Sequence, residues 1–153
     1  MSDRAESQRF QLLLESAIVL AVGTHRGQED KGGAPYILHP LRVMLSLRGP
    51  LEMIVGVLHD VVEDGGVTLD RLRRAGYPDR VVEALDALTR RPEESCDVYL
   101  ARVKANPLAL QVKLADLHDN LDESRIAEPT EKDRRRWEKY RRALAELEGR
   151  SVG

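Results

Sequence analysis

Apolar residues recur along most of the chain at the spacing of helices that are buried on one face. Between residues 10 and 21 they occupy positions 10, 13, 14, 17, 18 and 21, which form one stripe of an α-helix ending near Gly23. Similar patterns predict helices at residues 40–47, 51–62, 69–75, 79–88, 97–104, 107–121 and 131–147. Because no strand-like alternation extends beyond five residues, we predict an all-α bundle of seven or eight helices.

Glycine and proline mark where these helices are separated. Residues 27–40 contain three glycines and two prolines, which predicts that most of this segment is a loop. Gly49–Pro50 and Gly65–Gly66 flank the most apolar segment. We therefore expect the helix at residues 51–62 to lie at the centre of the bundle.

Composition narrows the class of protein. The 153 residues predict one domain over 1–153, and Cys96, the only cysteine, excludes an internal disulfide and a multi-cysteine zinc site. The 24 basic and 26 acidic residues leave a net charge of -2, which argues against a nucleic-acid partner. The longest apolar stretch, residues 17–22, is too short to span a membrane. We expect a cytoplasmic protein without a membrane partner, and its oligomeric state stays open.

An imidazole and three carboxylates interrupt the apolar central segment. His59 and Asp60 follow its apolar run, and Glu63 and Asp64 follow within the next turn. Burying such groups without partners costs several kcal/mol, and a bound cation would compensate for it. The alternative for this segment alone is a helix end with solvated acids.

A second polar group lies near residue 116. Asp116 and Asn120 are four residues apart and therefore share one face of a helix, while His25 follows the first helix beside the glycine-rich loop. Three helices of a bundle can bring His25, His59–Asp60 and Asp116 to one point. Such mixed nitrogen and oxygen ligands suit Mn, Fe, Zn, Co or Mg and leave room for water.

Five motifs occur in an order that matches a known family. They are residues 24–28 (THRGQ), 32–40 (GGAPYILHP), 58–72 (LHDVVEDGGVTLDRL), 88–90 (LTR) and 106–122 (NPLALQVKLADLHDNLD). With them the chain resembles the HD-domain phosphohydrolases, and more narrowly the hydrolase domain of RelA/SpoT enzymes and the small alarmone hydrolases. The resemblance covers about residues 8–147 and implies an HD-domain helical bundle.

The resemblance also implies roles for individual residues. It implies a divalent ion, typically manganese, held by four side chains: His25, His59, Asp60 and Asp116. It implies that Glu63 and Asp64 position and deprotonate the attacking water. Four residues are expected to contact a small-molecule nucleotide substrate: Asn120, Tyr140, Thr24 and Lys31.

Two further histidines fall outside that set. His39 stands at a predicted helix start, and we interpret it as a hydrogen-bonded turn residue rather than a ligand. His118 lies off the face shared by Asp116 and Asn120, and we interpret it as a surface residue or one that supports the ligands from outside.

The implied reaction is the hydrolysis of guanosine 3′,5′-bis(diphosphate), ppGpp, or a related alarmone to GDP or GTP and pyrophosphate. Three positions lack the positive charge that the family has there, namely Gly23, Thr24 and Asp122. Lys31, Lys113 and Arg125 are candidates to replace that charge. Two alternatives therefore stay open: an HD phosphohydrolase acting on another nucleotide or phosphoester, and a non-catalytic nucleotide or metal sensor.

Overall fold

The computed structural model describes residues 2–149, and these residues form an all-helical domain, as predicted. The helices are α1 (Asp3–His25), α2 (Leu38–Ser46), α3 (Pro50–Leu58), α4 (Val61–Gly65), α5 (Leu69–Arg74), α6 (Asp79–Leu88), α7 (Cys96–Ala105), α8 (Pro107–Asn120) and α9 (Glu131–Leu147). A single 3-10 turn follows α8 at Glu123–Arg125. The predicted domain boundaries at residues 1 and 153 lie outside the described residues.

The most apolar helix, α3, lies at the centre of the bundle. It packs against α1, α2, α6 and α8. Four of its side chains are fully buried: Ile54, Val55, Val57 and Leu58. Burial of this kind is the main favourable contribution to folding, so the central helix fixes how its neighbours are arranged.

The central apolar segment forms two helices instead of the single one predicted over residues 51–62. α3 ends at Leu58 and α4 begins at Val61, which leaves His59 and Asp60 at the junction. The Nδ1 atom of His59 lies 2.6 Å from the carbonyl oxygen of Gly56. The imidazole therefore competes for a carbonyl that would otherwise serve the helix ladder. This break makes the described helices nine rather than seven or eight.

The first helix is longer than its apolar stripe. α1 begins at Asp3 rather than near residue 10 and ends at His25 rather than Gly23. Its first residues are polar and exposed, so apolar periodicity cannot detect them, whereas Asp3 and Glu6 suit a helix N-terminus. No helix within residues 2–149 is both long enough and apolar enough to cross a membrane.

The loop between α1 and α2 is held by its own hydrogen bonds and by the 3-10 turn. One carboxylate oxygen of Asp30 accepts from the backbone N–H groups of Gly32 and Ala34, each at 2.9 Å. A Cβ atom on Gly32 would lie 2.3 Å from the carbonyl oxygen of Arg125. Only glycine permits this close contact, which sets the loop against the turn after α8.

The last helix begins with a reciprocal cap. The Thr130 hydroxyl accepts from the Asp133 N–H, while the Asp133 carboxylate accepts from the Thr130 N–H at 2.8 Å. This capping box satisfies backbone donors at the start of α9, which packs against α7 and α8. Trp137, Leu144 and Leu147 are buried as the predicted stripe requires, and Tyr140 is half-buried.

The cap gives a stability prediction. Thr130→Ala is expected to lower the free energy of unfolding by about 1 kcal/mol, because it removes the hydroxyl that satisfies the start of α9. Urea unfolding followed by circular dichroism measures the change. Thr130→Ser is the control, since it keeps the hydroxyl, and equal losses in both variants would contradict the capping role.

Candidate metal centre and adjoining cavity

Three potential metal ligands meet where α2 faces the junction between α3 and α4. One donor atom from each of His39, His59 and Asp60 lies within 4.8 Å of the other two. His39 belongs to the first turn of α2, and the other two residues occupy the junction itself. Both imidazoles are buried, His39 with 4% and His59 with 5% of its surface exposed.

Asp116 joins this group from α8. Its Oδ1 atom lies 2.9 Å from His39 Nε2 and 3.2 Å from His59 Nε2. Its other oxygen accepts from Lys113 Nζ at 2.8 Å, and Asn120 Nδ2 donates to Oδ1 at 3.1 Å. We call His39, His59, Asp60 and Asp116 the His/Asp cluster.

Charge on the two imidazoles holds the cluster together. Burial by itself would lower the pKa of His39, but hydrogen bonds to Asp116 and Asp119 outweigh it and raise that pKa. Burial also disfavours the charged form of His59, yet Asp60 and Asp116 raise its pKa well above the ordinary value. Because both nitrogens of each ring face oxygen atoms, each ring is assigned as an imidazolium that donates twice.

The two carboxylates of the cluster are correspondingly stabilised as anions. Burial would raise the pKa of Asp60, but the neighbouring His59 lowers it to about 2. Burial would likewise raise the pKa of Asp116, and the charge of Lys113 together with hydrogen bonds from both imidazoles holds it well below its ordinary value. The cluster therefore combines two buried imidazolium cations with the buried carboxylate of Asp116 and the partly exposed carboxylate of Asp60.

This donor set fits a divalent cation. Two neutral imidazoles and two carboxylates are ligands that Mn, Fe, Zn and Co accept. A divalent cation that replaces one proton from each imidazolium leaves the net charge of the buried group unchanged. The carboxylates of Asp60 and Asp116 therefore have the same compensating charge in the metal-free and the metal-bound protein.

A cavity of about 600 Å³ opens beside the cluster, and the cluster forms part of its wall. Its basic lining residues are Lys31, Arg42, Lys113, Arg125 and Arg136. Its acidic lining residues are Glu29, Asp30, Asp60, Asp64, Asp116 and Asp122. Tyr36, Trp137, Tyr140 and Ile126 supply aromatic and apolar surface. The cavity thus combines cations, aromatic rings and the His/Asp cluster.

Comparisons with known proteins relate the chain to enzymes of alarmone metabolism. It is 34% identical over 121 residues to a GTP pyrophosphokinase of Streptomyces coelicolor, covering 71% of this chain and 14% of that protein. It is 30% identical over 135 residues to a guanosine-3′,5′-bis(diphosphate) 3′-pyrophosphohydrolase of Vibrio cholerae, which covers 80% of this chain and 19% of that protein. The chain therefore spans less than a fifth of the length of these relatives. No protein-family model matches it.

A solved structure has the same arrangement of helices. It is described as a metazoan orthologue of SpoT that hydrolyses ppGpp and plays a role in starvation responses. The two chains superpose with a TM-score of 0.71 at 20% identity, over 88% of this chain and 84% of that one. The arrangement of helices that the two chains share is the HD-type helical fold. The resemblance that the motifs predicted is confirmed.

Within this HD-type fold, the structure brings together three of the four predicted ligands, His59, Asp60 and Asp116, and places His39 rather than His25 beside them. His25 lies outside the cluster, with its Nδ1 atom 3.0 Å from Gln28 Oε1 and its ring centroid 4.9 Å from that of Tyr36. His39 is in the cluster, although the sequence indicated a structural turn residue. The reason is the start of α2, which packs on α8 and so brings its first turn to Asp116.

The two acids after the cluster differ in position. Asp64 lines the cavity, whereas Glu63 is not among the lining residues and accepts a hydrogen bond from the Arg90 N–H at 2.8 Å. Partial burial and the nearby charge of Asp60 raise the pKa of Asp64 above its ordinary value. Partial burial and Asp60 raise the pKa of Glu63 as well, against the effect of its backbone hydrogen bond.

Three of the four residues expected to contact substrate line the cavity, namely Lys31, Asn120 and Tyr140. Thr24 does not line it, and instead its side chain packs against Gly65, where an added Cβ would lie 2.2 Å from Thr24 Cγ2. Thr24 therefore lies away from the cavity, because the end of α1 turns this side chain toward α4.

Sequence reasoning missed two side chains that hold the cluster in place. The Tyr36 hydroxyl donates to Asp60 Oδ2, and Asp119 contacts the outer nitrogen of His39 at 2.6 Å. Signals for both were present, since Tyr36 precedes His39 by three residues and Asp119 follows Asp116 by three. The spacing of Asp116 and Asp119 places that pair on one side of α8, whereas Tyr36 precedes α2, and neither spacing shows which partner these side chains face.

The charges in the cluster give a pH prediction. In metal-free protein the lowered pKa values of Asp60 and Asp116 contribute stability above about pH 4 that is lost as the pH falls toward 2. The raised pKa values of His39 and His59 contribute stability below about pH 6.5 that is lost as the pH rises through those values. Unfolding free energy is expected to be highest between about pH 4 and 6.5.

Urea unfolding at a series of pH values, with a chelator or with Mn²⁺, measures this dependence. Mn²⁺ is expected to remove the loss at alkaline pH, because neutral imidazoles can then bind the cation. A metal-free stability that rises steadily from pH 6.5 to 9, or identical curves with and without Mn²⁺, would contradict the assignment.

Proposed function

We propose that the chain is a metal-dependent phosphohydrolase that releases pyrophosphate from the 3′ position of ppGpp or a related alarmone. The observation that carries this proposal is the position of the His/Asp cluster in the wall of a cavity lined by five basic side chains. The pyrophosphohydrolase of Vibrio cholerae and the metazoan SpoT orthologue support the choice of substrate.

The proposed ligands are the members of the His/Asp cluster: His39, His59, Asp60 and Asp116. We propose manganese as the ion, following the resemblance to the alarmone hydrolases, with His39 in place of His25. A divalent cation held there supplies a lowered pKa for a coordinated water and polarisation of a phosphoryl oxygen.

Asp64 is the proposed base in this reaction. It lines the cavity, and its raised pKa lies closer to neutrality than that of an ordinary aspartate, which improves a carboxylate as a proton acceptor. Water adds to the phosphorus next to the ribose 3′ oxygen, and the bond between that oxygen and phosphorus breaks. Pyrophosphate leaves with the oxygen of the attacking water, the 3′ oxygen takes a proton from solvent to become a hydroxyl, and Asp64 later returns the proton taken from water to solvent.

Other cavity residues would bind the nucleotide. Lys31 has no hydrogen bond or ion pair within residues 2–149, so its ammonium group can pair with a phosphate without losing a protein partner. Tyr140, which is half-buried, supplies aromatic surface for a purine ring. Asn120 donates to Asp116 and so holds that carboxylate toward the imidazoles.

One observation favours a different nucleotide as the substrate. The cavity cations other than Lys31 already contact carboxylates: Arg42 and Arg125 contact Asp119, Lys113 contacts Asp116, and Arg136 contacts Asp133. Fewer free charges suit a substrate with fewer phosphates. The second candidate is therefore an HD phosphohydrolase acting on a nucleotide that carries one phosphate group.

A substrate panel separates these functions. Purified protein with Mn²⁺ is incubated with ppGpp, its adenosine counterpart, NADPH, and deoxynucleoside mono- and triphosphates, and products are resolved by ion-exchange chromatography. Pyrophosphate and GDP from ppGpp are the expected products. Turnover confined to the deoxynucleoside monophosphates favours the second candidate, and nucleotide binding without any turnover favours a sensor.

Asp64→Asn tests the proposed base. It is expected to lower kcat by about 10²- to 10⁴-fold while Mn²⁺ still binds, because the variant removes the proton acceptor and leaves the cluster intact. Asp70→Asn is the control, since Asp70 is an exposed acid paired with Arg73 on α5. An unchanged kcat in Asp64→Asn would exclude Asp64 as the base.

A pair of histidine variants tests the ligand set. His39→Gln is expected to weaken Mn²⁺ binding by at least about 100-fold, and His25→Gln by less than about threefold. Isothermal titration calorimetry measures both affinities. The reverse order would restore His25 as the ligand and exclude His39.

A further inference from the structure

The ring of His39 is held from the side opposite the cluster. Its Nε2 atom lies 2.9 Å from Asp116, and its Nδ1 atom lies 2.6 Å from Oδ2 of Asp119. Asp119 occupies α8 one turn after Asp116, and its side chain is 12% exposed. A charge-assisted hydrogen bond of this length fixes both the rotation of the ring and the position of the Nδ1 proton.

Asp119 is itself held by two guanidinium groups. Arg42 from α2 donates through Nε to Oδ1 at 2.7 Å and through Nη2 to Oδ2 at 3.1 Å. Arg125 from the 3-10 turn donates through Nη1 to Oδ1 at 3.2 Å and through Nη2 to the Asp119 carbonyl at 2.7 Å. A two-point contact from Arg42 fixes the plane of the carboxylate, since the guanidinium is rigid.

We propose that Asp119 is a positioning residue that directs the Nε2 atom of His39 toward the divalent-cation site, with Arg42 and Arg125 fixing Asp119. The inference rests on the metal site given under the proposed function. A histidine that donates Nδ1–H to a carboxylate presents the lone pair of Nε2, and such partners strengthen metal binding by orienting the ligand and raising its basicity.

The arrangement also links the cation site to the cavity. Arg42 and Arg125 both line the cavity, whereas Asp119 does not. Their guanidinium groups hold Asp119, which in turn orients His39. They are therefore already engaged and are not free to bind a phosphate. Removing either arginine is expected to affect the metal site as well as substrate binding.

Asp119→Asn tests the inference with little change in shape. The amide removes the negative charge and is expected to raise the Kd for Mn²⁺ by about 10- to 100-fold in isothermal titration calorimetry. The second readout is the ¹⁵N spectrum of His39 in Zn²⁺-loaded protein. The parent is expected to carry its proton on Nδ1, and the variant is expected to lose that fixed tautomer.

Glu94→Gln is the matched control. Glu94 is also a carboxylate held by one guanidinium at two points, with Arg102 at 2.6 and 2.7 Å, and its side chain is 5% exposed. It has no contact with the His/Asp cluster among the described residues. Its variant is expected to lower stability while leaving the Kd for Mn²⁺ and the His39 tautomer unchanged.

Arg42→Gln keeps the inference testable if Asp119→Asn does not fold. It leaves the Asp119 carboxylate in place but removes its two-point contact, and it is expected to weaken Mn²⁺ binding by a smaller factor. A folded variant of either kind whose Kd stays within about threefold of the parent would overturn the positioning role.

Titration of the unmodified protein with Mn²⁺ or Zn²⁺ distinguishes a failure of this inference from a failure of the proposed reaction. A parent that binds Mn²⁺ but hydrolyses no nucleotide would exclude the proposed function, while a weakened Asp119→Asn would still support the positioning role. A parent that binds neither Mn²⁺ nor Zn²⁺ would overturn the inference itself.

Discussion

The burial of one carboxylate, that of Asp116, determines much of this structure. A buried anion is tolerated only when charges and hydrogen bonds replace the water that it loses. Here the replacements come from three elements: His39 on α2, His59 after α3, and Lys113 and Asn120 on α8. These helices must approach closely around Asp116, because its carboxylate needs hydrogen bonds from each of them. The contact between otherwise apolar helix surfaces is therefore fixed by polar groups.

The same requirement explains the break in the central apolar segment. A continuous helix over residues 51–62 would use the Gly56 carbonyl to accept from the backbone N–H of Asp60. Instead, His59 takes the Gly56 carbonyl on one side and faces Asp116 on the other. The local loss of helical regularity at the junction is therefore coupled to the formation of the cluster, where the chemistry of the site also lies.

Periodicity predicted the helices well where one face is apolar and the ends carry clear signals. Residues 79–88 form a helix with the predicted bounds, whereas the polar start of α1 has no stripe to detect. The site was harder to predict, because His25 and His39 both flank the glycine-rich loop and only tertiary packing distinguishes them. Asp119 could not be assigned at all, since its role depends on Arg42, which is 77 residues away in the chain.

The charge balance of the metal-free cluster has a consequence for the order of events during biosynthesis. In a small zinc domain, folding waits for the metal because the ligands have no other partners. Here the acids already have internal counter-charges from two imidazolium groups, so the chain can complete its fold before any cation arrives. Metal loading is then an exchange on a folded protein, in which the cation replaces one proton from each imidazolium.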